Sequence, residues 1–196
     1  MRHLLIVSAL LCASPCWADG WETDGSINLG LTAGTSDKTL VDGRYTTGDQ
    51  AKIRAGGLYY AGLGVDSGND DFGVLMNLAY HFDGTSGHTI DDERFVFRRW
   101  AFDLLPYLTV GKSFRIGAGA TYHFNTEAFV QLTEGKSYAD FDNSLGATLF
   151  GGYNFPESKS WIELRYTYMH YDYSDFDEEE INGSHFGLIL HWVPSI

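Results

Sequence analysis

The chain has 196 residues, with 26 acidic against 13 basic side chains and a formal net charge of −13 at pH 7, which argues against nucleic acid or an anionic surface gripped by clustered Lys and Arg. Both cysteines, Cys12 and Cys16, fall at the very start, so the rest of the chain has no disulfide, thiolate metal site or cysteine nucleophile. The 15% of aromatic residues and the 23 glycines suit β-structure better than helices.

Arg2 and His3, the apolar run Leu4 to Ala13 and the small-residue exit Cys16-Trp17-Ala18 read as a secretory signal peptide cut after Ala18. The run is about half the roughly 20 apolar residues of a spanning helix, so it is not an anchor. Leu11 before Cys12 and Pro15 before Cys16 lack the small residue that lipidation requires. The expected organisation is a signal at residues 1–18 and one domain over 19–196.

Beyond the signal, apolar residues recur with period two, the mark of strands. Ile27, Leu29, Leu31 and Ala33 form the first. Ile53, Ala55, Tyr59, Ala61, Leu63 and Val65 line one face of the second, opposite Arg54, Tyr60, Gly62 and Gly64. Phe72 to Phe82, Trp100 to Val110 and Ile116 to Phe124 continue the alternation, with a bulge expected at Pro106 because proline cannot donate to the ladder. Leu145 to Phe155, Ile162 to Tyr168 and Phe186 to Trp192 complete eight strands.

The connections alternate in length. Asp66 to Asp71, Gly111 to Phe114 and Pro156 to Ser160 are tight turns, whereas Thr35 to Ala51, Asp83 to Arg99, Asn125 to Asn143 and Asp172 to Ser184 are long and polar. An even number of antiparallel strands with short turns at one end and long loops at the other predicts an eight-stranded transmembrane β-barrel, with short turns and termini periplasmic and four acidic loops extracellular. Phe82, Trp100, Phe124 and Phe186 beside the loops, and Phe72, Phe155, Trp161 and Trp192 beside the turns, are placed as two interfacial girdles.

A soluble lipocalin-like carrier also alternates, but its second face would meet water and carry many Lys and Glu. Here that face is mostly Gly, Ser, Thr, Asn, Ala and Tyr, with Arg54, Asp103, Arg115, Glu163 and Arg165 as its charges. In a barrel this narrow the interior is filled by side chains, and the three arginines are expected to neutralise Asp103 and Glu163 in a network that plugs the lumen. The rival reading is a narrow channel for small solutes lined by Asn77, Tyr107, Thr121 and Thr148.

Gly117-Ala118-Gly119-Ala120-Thr121-Tyr122-His123-Phe124, Phe141-Asp142-Asn143-Ser144-Leu145-Gly146 and Leu164-Arg165-Tyr166-Thr167-Tyr168 resemble segments of small eight-stranded outer-membrane proteins of Gram-negative bacteria. That class holds the OmpA membrane domain, OmpX, OmpW and uncharacterised outer-membrane β-barrel or porin-family proteins. The resemblance spans essentially the whole chain after Ala18 and implies fold and outer-membrane location. It implies barrel-assembly machinery as a partner too, although Val193-Pro194-Ser195-Ile196 follows Trp192 where such chains end on an aromatic residue.

Site candidates are few. His170, with Asp172 and Ser174, resembles the constellation of lipid A deacylases, but Asp172 stands where their Ser belongs, so no enzyme is expected. His81, His123, His185 and His191 have inward parity and are read as satisfied interior histidines rather than metal ligands, and no cofactor is expected. Asp175-Phe176-Asp177-Glu178-Glu179-Glu180 is a solvated loop tip able to gather divalent cations. Arg94, Arg98 and Arg99, after Asp91-Asp92-Glu93 and beside Trp100, are expected to meet lipopolysaccharide phosphates among the outer-membrane lipids.

Overall fold

The computed structural model describes residues 20–35, 39–44, 50–54, 59–86, 94–132, 135–155, 157–173 and 176–194. The signal segment, Asp91-Asp92-Glu93 and Ser174 lie outside them, as do the side chains of the acidic run. The strands are β1 Glu22–Gly34, β2 Thr39–Arg44, β3 Gln50–Arg54, β4 Tyr59–Gly68, β5 Phe72–Ser86, β6 Arg94–Val110 and β7 Phe114–Leu132. They continue with β8 Gly135–Phe141, β9 Ser144–Asn154, β10 Trp161–Tyr168, β11 His170–Tyr173, β12 Phe176–Asn182 and β13 His185–Trp192.

Eight of these close into an antiparallel barrel in the order β1, β4, β5, β6, β7, β9, β10, β13, and β13 returns to β1 with Ile27 opposite Trp192 and Gly34 opposite His185. The eight are the predicted strands. Alternation sends Leu29, Leu63, Leu104, Leu145, Leu149 and Leu164 outward, where they are 44–73% exposed, while Asn28, Asn77, Asp103, Thr121 and Glu163 are buried inside. Such an outer surface is stable in lipid, and closure leaves the barrel backbone no open edge there.

The interior is narrow enough that glycine sets the distance between strands. At Gly119 a Cβ would lie 2.1 Å from the Leu104 carbonyl oxygen and 2.9 Å from the Leu105 Cα, both backbone atoms that cannot swing away.

Four expectations need correction. The second barrel strand begins at Tyr59, because Ile53 and Arg54 belong to the outer hairpin of β2 and β3, paired with Val41 and Thr39. Pro106 makes no bulge: it pairs with Val74 in unbroken register, and the irregularity between β6 and β7 sits instead between Arg98 and Trp100. There Asn125 takes a φ of 50°, so that Asn125 and Thr126 stand against Arg99 alone. Three of the four long connections are largely strand rather than loop, since β5, β6 and β7 run past the girdle and the hairpins of β7 with β8 and β11 with β12 stand above it. These arms share a core of Phe95, Phe97, Ala128, Phe141, Met169, Tyr171 and Ile181. Trp161 points into the lumen at 1% exposure and is no girdle residue, whereas Phe72, Phe82, Trp100, Phe155, Phe186 and Trp192 do face outward.

The turns form as their composition demands. Asn69 Oδ1 accepts from the Asp71 and Phe72 amides at 3.0 and 2.9 Å, and Gly111 supplies a φ of 67°.

Replacing Gly119 by Val should lower the urea midpoint of the folded, heat-modifiable gel band by an amount worth about 1–3 kcal/mol or more. Gly25→Val, where a Cβ meets nothing within 4 Å, should leave the midpoint unchanged.

Candidate functional site

Inward parity on eight strands stacks the lumen side chains in three tiers. The tier nearest the short turns holds Asp66, which accepts from the Tyr107 hydroxyl at 2.7 Å and from Arg115 Nη1. The Arg115 guanidinium lies 4.7 Å from the Tyr107 ring centre and 4.9 Å from that of Trp161. Leu75, Leu105, Phe150 and Trp161 fill the rest of the cross-section. Here the cation is held by one carboxylate and two π faces.

In the middle tier Arg165, 3% exposed, donates from Nη1 to Asp103 Oδ2 at 2.7 Å and from Nε to Glu163 Oε1. Thr121 donates to Asp103 Oδ1 at 2.5 Å and Tyr60 to Asp103 Oδ2 at 3.4 Å. His191 Nε2 lies 2.9 Å from Glu163 Oε2, and its ring stacks on Trp161 at 3.9 Å and 5°. Two carboxylates thus share one guanidinium, with an imidazole completing the set. Beside them Ser26 donates to Asn28 and Asn28 to Asn77, both at 2.9 Å, with Asn77 opposite Asp103 in register.

The outer tier gathers His81, His123 and His185, with ring centres 5.5, 5.6 and 6.2 Å apart, around the fully buried Arg99. Arg99 Nη2 donates to His81 Nδ1 at 3.1 Å, and His123 Nδ1 lies 2.5 Å from the Tyr171 hydroxyl. Among the described residues no group of three or more His, Cys, Asp or Glu is arranged to hold a metal ion.

Of the charges expected in the lumen, Asp103, Glu163 and Arg165 meet as one network. Arg115 is also inside but turns to Asp66, a residue read from sequence as turn although it keeps the inward parity of Tyr60, Gly62 and Gly64. Arg54 does not join the barrel wall, and its side chain lies outside the described residues. Arg99 cannot meet lipid phosphates, being 0% exposed inside the barrel. Parity could have placed it there, because its neighbour Trp100 faces out. Arg94 is exposed, and Arg98, with its side chain 41% exposed, donates to Glu127 at 2.5 Å on the outer face. The channel-lining candidates Asn77, Tyr107, Thr121 and Thr148 are 1–5% exposed, and Thr148 bonds to Thr167 at 2.9 Å. His170 packs edge-on against Tyr168 at 4.7 Å, on the other parity from the lumen histidines.

At the turn end Lys159 Nζ reaches Asp24 at 2.9 Å and Glu22 at 3.1 Å, clasping the β9 to β10 turn to β1. Hydrogen bonds to Asp24 first, then to Glu22, hold this exposed ammonium above the usual lysine value.

An apolar outer belt, eight closed antiparallel strands and a lumen packed with side chains define the fold of the small outer-membrane β-barrels. Among solved structures the chain is similar to Ail, the attachment invasion locus protein of Yersinia pestis, in complex with the heparin analogue sucrose octasulfate: TM-score 0.50, 15% identity, 88% of this chain and 99% of that one covered. Neisserial surface protein A also aligns, with a TM-score of 0.45 and 11% identity over 88% of this chain and 94% of that one. No protein-family model matches the chain, and no curated protein matches it. At such identities the likeness is one of fold.

Arg165→Met would strand two buried carboxylates and should cost about 3–5 kcal/mol of unfolding free energy in detergent micelles. Adding Asp103→Asn and Glu163→Gln to it should restore much of that loss, because no buried charge is then left unpaired. Lys159→Gln should leave the unfolding midpoint nearly unchanged between pH 6 and 8, since an ion pair at the solvent-exposed turn end is screened by water.

Proposed function

We propose that this chain is a closed outer-membrane barrel of Gram-negative bacteria, exported through a cleaved signal and inserted by the barrel-assembly machinery. Its work is structural and surface-interacting, done by what it displays rather than by what it passes. The observation that carries this reading is the filled lumen beneath an apolar belt. Arg165 with its two carboxylates at mid-depth, and Phe150, Trp161, Leu75 and Leu105 below, leave a general diffusion pore no room.

The interaction surface is the outer rim. Arg94 stands exposed on β6, and Arg98, half-buried and paired with Glu127, lies beside Trp100, where a guanidinium can bind lipopolysaccharide phosphates. The acidic stretches Asp91 to Glu93 and Asp175 to Glu180 would share divalent cations with the same phosphates. A polysulfated ligand such as the heparin analogue bound to Ail is a poor match for a chain of net charge −13. A lipid-modifying activity at His170 has little support, since its ring packs on Tyr168.

The test is conductance. Refolded protein in planar bilayers at neutral pH should give no steady current, and it should be found in the outer-membrane fraction with an unboiled band that runs faster than the boiled one. Large, sustained conductance would establish the narrow channel instead. The double variant Arg94→Gln, Arg98→Gln should fold normally yet lose several-fold in retention on lipopolysaccharide-coated surfaces.

A further inference from the structure

The outer tier pairs groups whose bonds depend on a single proton. Arginine only donates, so its contact from Arg99 Nη2 requires a lone pair on His81 Nδ1 and a neutral ring. A second proton on His81 breaks that bond and sets two cations 3.1 Å apart in a buried space. His123 and His185 stand 5.5 and 5.6 Å from His81, and a charge on either adds to the repulsion.

The described groups facing this tier come from several strands. Tyr60 on β4 packs edge-on against His81 at 4.8 Å, and Tyr171 on β11 lies 2.5 Å from His123. Arg165 on β10 acts on all three imidazoles as a cation, while Asp103 and Glu163 below are already engaged by it. Asp83 on β5 acts on Arg99 from the rim.

The same tier holds the hairpin of β11 and β12 in place. Tyr171 belongs to the core of the outer arms and carries the Arg99 guanidinium 5.7 Å from its ring centre. Among the described residues its strand β11 meets β8 through the pair Tyr173 with Phe141, beside one bond from the Asp142 amide to the Asp172 carbonyl, so few main-chain bonds hold the hairpin of β11 and β12 to its neighbours.

We propose that His81, His123 and His185 form an acid-released latch, whose protonation expels Arg99 and Tyr171 from their places and lets the β11 to β12 hairpin swing away from the outer mouth of the barrel. Once open, the imidazoles are hydrated and protonate near their ordinary value of about 6.5. By linkage, each imidazole that takes its proton only in the open state raises the open-to-closed ratio roughly 15-fold between pH 6.5 and pH 5.

The test is limited proteolysis of the refolded full-length barrel in detergent micelles at pH 7.5 and pH 5.0, each rate normalised to that of the unfolded chain at the same pH, with heat-modifiable mobility checked for every variant. Cleavage between residues 170 and 182 at least ten times faster at pH 5.0 is expected, while the barrel stays non-conducting because the tiers beneath remain filled. His81→Gln should blunt the acid response, the combination His81→Gln, His123→Gln, His185→Gln should abolish it, and the outward His170→Gln should keep it. If the triple variant does not fold, amide hydrogen exchange of the single variants gives the second readout: acid should lower the protection of the hairpin strands, 170–173 and 176–182, in the parent and not in His81→Gln. Equal behaviour at both pH values in a barrel with the folded mobility would overturn the latch while leaving the closed barrel standing. An acid response undiminished in His81→Gln would overturn it as well. A chain that never shows the folded band would remove the barrel and the latch together.

Discussion

Backbone amides and carbonyls in a hydrocarbon layer have no water to turn to, and that requirement organises everything else in this molecule. The pairing of β1 with β13 joins the two ends of the sheet and removes its edges. Closure with eight strands then dictates a lumen barely wide enough for side chains. Glycine at positions such as Gly119 lets the walls approach, and large residues such as Trp161, Phe150 and Arg165 fill what is left. A charged residue in that space must bring its partner along, which is why Asp103, Glu163 and Arg165 occur as a set rather than singly.

The strands were legible because a half-buried strand writes its two environments into alternate residues, and here the contrast between lipid and lumen is strong. Leu145, Ala147 and Leu149 face out while Ser144, Thr148 and Phe150 face in, as the pattern requires. Partners across the lumen were less legible, since they depend on register between strands far apart in sequence. Arg115 meets Asp66, forty-nine positions away, and only the stacking of inward positions reveals the pair. Arg99 and Trp161 depart from expectation for a simpler reason: charge and aromaticity point to the interface while parity points inward, and each adjoins a residue of outward face. The outer arms are less legible because a segment such as Phe95-Val96-Phe97, buried on both faces, produces no alternation. In β7 the bulge at Asn125 also reverses the parity partway along.

Electrostatics inside the barrel differ in kind from tier to tier. The inner Arg115 and the middle Arg165 are each matched to carboxylates, so their tiers resist being pulled apart. The outer tier is richer in cations and in groups that become cations. An interior graded in this way is firmest at the end of the short turns and most yielding at the end of the outer arms. The fold it shares with Ail says nothing of this gradient, because the gradient is carried by side chains and the likeness by the backbone.

The bulge at Asn125 and Thr126 has a bearing on how such a chain can change over time. A strand obeys strict parity, so one inserted or deleted residue would ordinarily turn every later side chain to the wrong solvent. Here the break in register falls between the membrane wall and the outer arm of β7, and Asn125 already tolerates the backbone twist that an extra residue imposes. Variation in the outer arm is thereby insulated from the wall beneath it. The outer-arm segments are free to drift in length and composition, while the lipid-facing half keeps its phase.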